Sequence, residues 1–168
     1  MLTDLVQIRL LGEKKRPENE RFRRHMKIHG HNDLRLRRIA ENIEEQIDCT
    51  QCANCCRVAT TTVSERDIER LARYFRIKPA QFVAEYTMES TEEGTILKRT
   101  EGGGCVFLDG NLCSVYEARP ETCQRYPHLV RGSGSIASRM WQFVDRATMC
   151  PIVYNSLEAF KAELKFRR

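Results

Sequence analysis

Residues 49–56, CTQCANCC, place four cysteines in eight positions. No other stretch constrains the chain as tightly, because sulfurs tied this closely must act together. They hold a metal, pair as disulfides, or carry out thiol chemistry. The four remaining cysteines are Cys105, Cys113, Cys123 and Cys150. Eight cysteines in 168 residues fall below the density of a small secreted disulfide scaffold. A 41% hydrophobic composition builds a modest core without relying on staples.

The redox setting decides among the three uses. The opening residues, MLTDLVQIRLLGEKK, carry Asp4 and Arg9 among their apolar positions. They have neither a basic lead nor a small-residue cleavage site, so they do not read as a signal peptide. No stretch approaches the ~18 apolar residues of a membrane span. The expected location is cytoplasmic, where clustered thiols serve as metal ligands before they serve as redox groups or disulfides.

Spacing supports ligation. A C-x2-C step turns two sulfurs to one side, and Cys49, Cys52 and Cys55 repeat it twice, as in iron–sulfur ferredoxins. Cys56 then follows at once, where the ferredoxin run places three residues and a C-P. Neighbouring side chains share no face of a helix or strand, so Cys55 and Cys56 are expected to diverge, one to each of two centres or one into packing. Eight thiolates divide into two four-sulfur sites, the coordination both zinc and a four-iron cluster use. Two such centres of −2 each would take the formal +5 to +1, so global basicity argues little for nucleic-acid binding. Arg57, Arg119, Arg125 and Arg131 lie near cysteines in sequence and could offset sulfur charge by hydrogen bonding.

The chain divides into a basic N-terminal arm with a lead-in helix (1–48) and a cysteine-cluster domain with a C-terminal helix (49–168). Residues 14–38 hold ten Lys or Arg against three acidic residues, a net +7. The arm is expected to be flexible or partly helical, followed by a helix from about Asp33 to Ile47. In TTTVSERDIERLARYF, Ser64 caps and Asp67 reciprocates, with Ile68, Leu71, Ala72 and Phe75 on one face. Pro79 opens a second helix burying Phe82, Val83 and Tyr86. TILKR and CVFL read as short strands joined through Gly102–Gly104, and Asp109-Gly110 as a tight turn. Arg119-Pro120 opens a helical turn carrying Cys123. Trp141 is expected in the core, and Ser156 is expected to cap a final helix bearing Leu157, Phe160 and Leu164. The fold class is α+β: a small mixed domain with helices around a short antiparallel hairpin, organised by cysteine-ligated metal.

These motifs together resemble the YkgJ-type cysteine-cluster family, the CxxCxxCC proteins. CTQCANCC is coupled to GGGCVFLDGNLCSVYEARPETCQRYPHL and a distant Cys150, over roughly residues 49–155. The resemblance implies a zinc- or iron-chelating protein. It implies that Cys49, Cys52, Cys55, Cys56, Cys105, Cys113, Cys123 and Cys150 are its metal ligands, in one or two centres of zinc or iron–sulfur type. It departs at Ala53, where many relatives have glycine, which bears on the turn geometry. Flagellin lysine-N-methylases share a similar cluster, but no S-adenosylmethionine site is recognisable here.

Other residues read more plainly. His25, His29 and His31 have a spacing that binds metal weakly, but Gly30 interrupts any shared helical face, and a solvated basic segment is the preferred reading. His128 is a candidate variable ligand or proton donor against a hydrogen-bonded loop histidine. Tyr116 and Tyr126 are expected beside the metal. No phosphate loop, H-E-x-x-H or G-x-S-x-G stands out. Three functions follow: an electron-transfer or accessory partner of a redox or modifying system, a structural-zinc interaction module, or an enzyme with an open metal position. A protein partner is expected. Nucleic acid could meet the basic arm, although the arm lacks interleaved aromatics for base stacking.

Overall fold

The computed structural model describes residues 1–30, 33–132 and 134–166. In chain order the elements begin with α1 (Leu5–His29), α2 (Asp33–Glu44), α3 (Cys49–Cys52), α4 (Asn54–Val58), α5 (Glu65–Phe75) and α6 (Pro79–Tyr86). The strands β1 (Thr87–Ser90), β2 (Gly94–Leu97), β3 (Leu108–Asp109) and β4 (Leu112–Cys113) follow. A 3-10 turn (Tyr116–Ala118), α7 (Glu121–Arg125), α8 (Ile136–Arg146) and α9 (Pro151–Glu163) complete the chain. Helix dominates and the strands form two antiparallel hairpins, β1–β2 and β3–β4, so the α+β expectation holds. The chain divides into two units, residues 1–48 with 126–168, and residues 49–125.

The first unit is helical. α1 packs on α8 and α9, and α2 on α9. Its core gathers Phe22, Met26, Leu36, Met140, Phe143, Val153 and Phe160, among others. The basic segment is helical over its described length except at Gly30: residues 33–38 lie in α2 and residues 14–29 in the 25-residue α1. Asp4 starts that helix by accepting the Gln7 N–H at 2.7 Å. Its inward stripe is Ile8, Gly12, Asn19, Phe22 and Met26, which repeats at helical spacing but is only partly apolar. Gly12 is there because nothing larger fits. A Cβ at this position would meet the Ala147 carbonyl oxygen at 2.6 Å and Thr148 Cα at 2.7 Å. Asn19 is buried because the amine of Lys161 on α9, itself buried, donates to its Oδ1 at 2.9 Å and to Glu18 at 2.5 Å.

α2 begins at Asp33 as expected but stops at Glu44, short of Ile47. Leu36 and Ala40 are buried, whereas Leu34 is exposed. α9 starts at Pro151, five residues before the expected cap, because proline suits the first helical turn. Ser156 lies inside the helix, its hydroxyl donating to the Ile152 carbonyl at 2.6 Å. Trp141 does not join the core. It is 54% exposed on α8, while Met140, Phe143 and Val144 take the inward positions.

The second unit carries a small core of Val63, Leu71, Ala72, Phe82, Leu97, Phe107, Val115 and Ala118. The Ser64–Asp67 capping box forms as read from the sequence. α6 buries Phe82 and half-buries Tyr86, but Val83 faces outward. Phe75, Phe82, Tyr86 and Phe107 form an aromatic cluster with ring centroids 5.1–6.2 Å apart. The strand pairing differs from the expectation. β2 pairs with β1, in the register Thr87↔Leu97 to Ser90↔Gly94. Toward TILKR, CVFL makes only the single bridge Arg99↔Cys105, while its Leu108 pairs with Cys113 in the β3–β4 hairpin. The residues after Tyr86 reverse immediately through a turn at 91–93, and the nearest neighbour wins. Asp109-Gly110 makes the tight turn between β3 and β4, with Gly110 at φ +58°.

Candidate metal centre

Cys49 and Cys52 begin and end the single turn of α3. The Ala53 N–H closes that turn on the Cys49 carbonyl at 2.9 Å. Ala53 itself has φ 46°, in the left-handed region where an L-residue costs about 1–2 kcal/mol and glycine does not. That kink ends α3 and starts α4, which presents Cys55 and Cys56 in a new direction. The two neighbours are close enough to interact, the Cys55 side chain acting on the Cys56 thiol through a hydrogen bond. Both lie on a helix of only five residues, whose neighbouring side chains have freedom to turn toward each other.

Three further cysteines come from separate segments of the same unit. The Cys105 N–H donates to the Cys56 carbonyl at 2.8 Å, placing the 102–105 loop against α4. Cys113 ends β4, paired with Leu108 across the hairpin. Cys123 lies on α7, and its thiol reaches Thr61 Oγ1 at 3.9 Å. Each is half-buried.

Arginines clamp the segments together. Arg57 donates to the Cys52 carbonyl at 3.0 Å, to the Gly110 carbonyl at 2.9 Å and to Asn111 Oδ1. Asn111 in turn donates to the Gln51 carbonyl at 2.9 Å. The β3–β4 turn is thus bound to α3 at two points. Arg99 donates to the Ala59 carbonyl at 2.7 Å and also to the carbonyls of Arg57 and Gly103. Arg119 stacks over the Tyr116 ring at 3.8 Å and donates to its carbonyl. Of the other two arginines marked from the sequence, Arg125 pairs with Glu121 and Arg131 with Glu44. Tyr116 is exposed, and Tyr126 lies in the helical unit, 5.5 Å from the Arg146 guanidinium.

The electrostatics tie the sulfurs into one neighbourhood. The hydrogen bond from Cys55, with the nearby Arg57 charge, outweighs burial and lowers the Cys56 thiol to about 7. Burial pushes Cys105 and Cys113 up, and the charge of Cys56 adds to both. Burial pushes Cys123 up to about 12, with Cys56, Cys105 and Cys113 all adding. Thiolates gathered this closely repel one another, and a bound cation removes that repulsion and displaces the protons. The donor set is therefore chemically suited to a soft or borderline metal. Among the described residues, no three Cys, His, Asp or Glu side chains already converge on a single point. The staggered χ1 wells of cysteine give each sulfur alternative directions from a fixed backbone.

Cys49, Cys52, Cys55, Cys56, Cys105, Cys113 and Cys123 thus lie in one unit, the last five as electrostatic neighbours. Cys150 belongs to the helical unit, buried at the N-cap of α9 with Phe143, Ala147 and Ile152 in its core. His128 lies in that unit too, its carbonyl accepting from Arg139 at 2.9 Å. His31 lies outside the described residues. The residue that sequence reasoning underrated is Asp67, seen only as a cap. Its carboxylate also accepts the Glu121 N–H at the start of α7, a contact 54 residues away that no local pattern signals.

Residues 48–151 match the model of the CxxCxxCC family, described as a "putative zinc- or iron-chelating domain". No curated protein and no solved structure matches the chain. Among the described residues no helix is long and apolar enough to cross a membrane.

Proposed function

The chain belongs to the CxxCxxCC family, and we propose that it works as a metal-thiolate protein, an electron-transfer or accessory partner of a redox or modifying system. The observation that carries this reading is the shared electrostatic neighbourhood of Cys55, Cys56, Cys105, Cys113 and Cys123, drawn from four segments. The proposed ligands are these five with Cys49 and Cys52, and Cys150 by family resemblance. When bound, an iron–sulfur centre would supply one-electron chemistry, and zinc a fixed cross-link. The chain's own part is to gather the thiols, hold Arg57 beside them, and keep Cys105 and Cys123 partly out of water.

A second reading, zinc as a purely structural organiser, draws on the shortness of the elements involved. α3, α4, β3, β4 and α7 have four, five, two, two and five residues, too short to be stable alone.

Metal content per chain, measured by mass spectrometry with an absorption spectrum on protein purified without oxygen, separates the two. Iron with matching sulfide and a broad visible band supports the electron-transfer reading. Zinc without colour supports the structural one. Cys52→Ser is expected to lower metal content and melting temperature together. Full loading with an unchanged melting temperature in that variant would overturn both.

A further inference from the structure

The motif HMKIHGH lies outside the family domain and has no part in the cysteine chemistry. In sequence, Gly30 interrupts any helical face shared by its histidines. In the structure α1 runs through His29, and Gly30 is its left-handed C-cap. Gly30 therefore follows both His25 and His29 and separates neither. The two stand at i and i+4, where side chains on a helix are neighbours.

Their rings are already together. The centroids lie 4.3 Å apart with the planes tilted by 41°. Two metal–nitrogen bonds of about 2.0–2.1 Å bridge nitrogens up to about 4.2 Å apart, a separation that rotation of the two rings reaches from centroids this close. His25 is also held in place. The Phe166 ring lies 5.1 Å from it and the Phe22 ring 6.3 Å, the latter nearly parallel at 18°. His25 is half-buried and His29 is exposed, so the pair combines a braced ligand with one open to solvent. H-x3-H is the spacing with which one helix face offers two imidazoles to zinc.

We propose that His25 and His29 form a second metal site, distinct from the thiolates, for a late first-row divalent cation. The chemistry selects the class. Both donors are imidazoles, and Arg21, Arg24 and Lys27 flank them in sequence. Calcium and magnesium need oxygen donors and gain nothing here. Nickel, copper and zinc bind neutral imidazole. Two nitrogens come from the helix, and water completes the shell.

The test uses the full chain with its cysteine sites first loaded with zinc. Ni²⁺ is then titrated while the histidine imidazole C–H signals are followed by NMR, because the paramagnetic ion broadens only the rings it approaches. The His25 and His29 signals are expected to broaden together, ahead of His128. His25→Gln is expected to weaken the effect at His29 by about tenfold or more, since losing a mere supporting contact to a ligand already costs 10–100-fold. His29→Gln, at an exposed position, gives the reciprocal result without risk to the fold. Simultaneous broadening of all histidines, or an unchanged Ni²⁺ dependence of His29 in His25→Gln, would overturn the site. The same titration on Cys52→Ser keeps this question separate: broadening there is expected to persist whether or not the thiolate reading survives.

Discussion

Oδ1 of Asp67 accepts the backbone N–H of Glu121 at 3.0 Å, fastening the start of α5 to the start of α7, the helix that carries Cys123. The same carboxylate accepts the Ser64 N–H at 3.0 Å, the Ser64 hydroxyl at 2.7 Å and the Arg70 guanidinium at 2.5 Å. Arg70 continues outward to the carbonyls of Ala118 and Arg119, at 3.3 and 2.9 Å. One buried carboxylate thus holds a helix cap, the Arg-Pro turn and the Cys123 helix in register.

Asp67→Ala is expected to destabilise the protein by about 2–4 kcal/mol in urea unfolding, the sum of a lost cap and a charged hydrogen bond. Metal content should fall with it, because α7 loses its anchor. Retention of full loading would show that Cys123 is positioned without Asp67.

The same residue predicts an acid dependence. Burial alone would raise the Asp67 carboxyl, but the Ser64 N–H and hydroxyl, the Glu121 N–H and Arg70 together hold it below the ordinary value. The unfolded chain then takes up this proton at a higher pH than the native state does. The stabilisation is complete above the usual aspartate value of about 3.9 and is lost as pH falls through the lower native value. The stability gap between wild type and Asp67→Asn is therefore expected to be constant above about pH 5 and to narrow below about pH 4. A gap independent of pH would contradict the assignment.

How much of this was legible depended on whether the signal was local. The Ser64–Asp67 cap, the proline start of α6, the Asp109-Gly110 turn and the cysteine pattern are local signals, and the sequence carries them. α1 was missed because its contact face uses Gly12, Asn19 and Lys15 in place of a run of apolar residues. Those positions make sense only against Ala147, Lys161 and Glu158, more than 130 residues away. The outer contact of Asp67 was hidden for the same reason, since Glu121 lies 54 residues away. The left-handed backbone of Ala53 falls where the family resemblance points to glycine, so there the sequence does mark the turn.

Gly12→Ala tests the α1 packing directly. Alanine gains about 1 kcal/mol of helix propensity over glycine. The added Cβ would lie 2.6–2.7 Å from backbone atoms of Ala147 and Thr148, which cannot rotate away. Overpacking of this kind costs about 1–3 kcal/mol, so a net loss of stability is expected, read as a lower urea midpoint at constant slope. A midpoint at or above wild type would mean that α1 does not approach α8 this closely.

Trp141, the only tryptophan, reports on the helical unit. Being 54% exposed, it is expected to be quenched by iodide in the native protein almost as efficiently as in urea. A native protein resistant to quenching would place this side chain against a partner copy or the core, and would contradict the observed orientation of α8.

Arg57 is where the clamp and the charge of the thiol cluster coincide. Its guanidinium spans the Cys52 and Gly110 carbonyls and Asn111, and its charge helps lower Cys56. Lysine keeps the charge but cannot reproduce a planar fork reaching several acceptors. Arg57→Lys is therefore expected to leave the secondary structure intact while weakening metal binding by about 10–100-fold, the usual cost of losing a partner that orients ligands. Arg57→Ala removes charge as well and should weaken it further. Competition against a chelator of known affinity measures both. If lysine binds metal as well as arginine does, charge alone suffices at this position and the fork across the Cys52–Gly110 gap contributes nothing to the centre. If both variants match wild type, the metal lies beyond the reach of Arg57, and the ligand set must be sought away from α4.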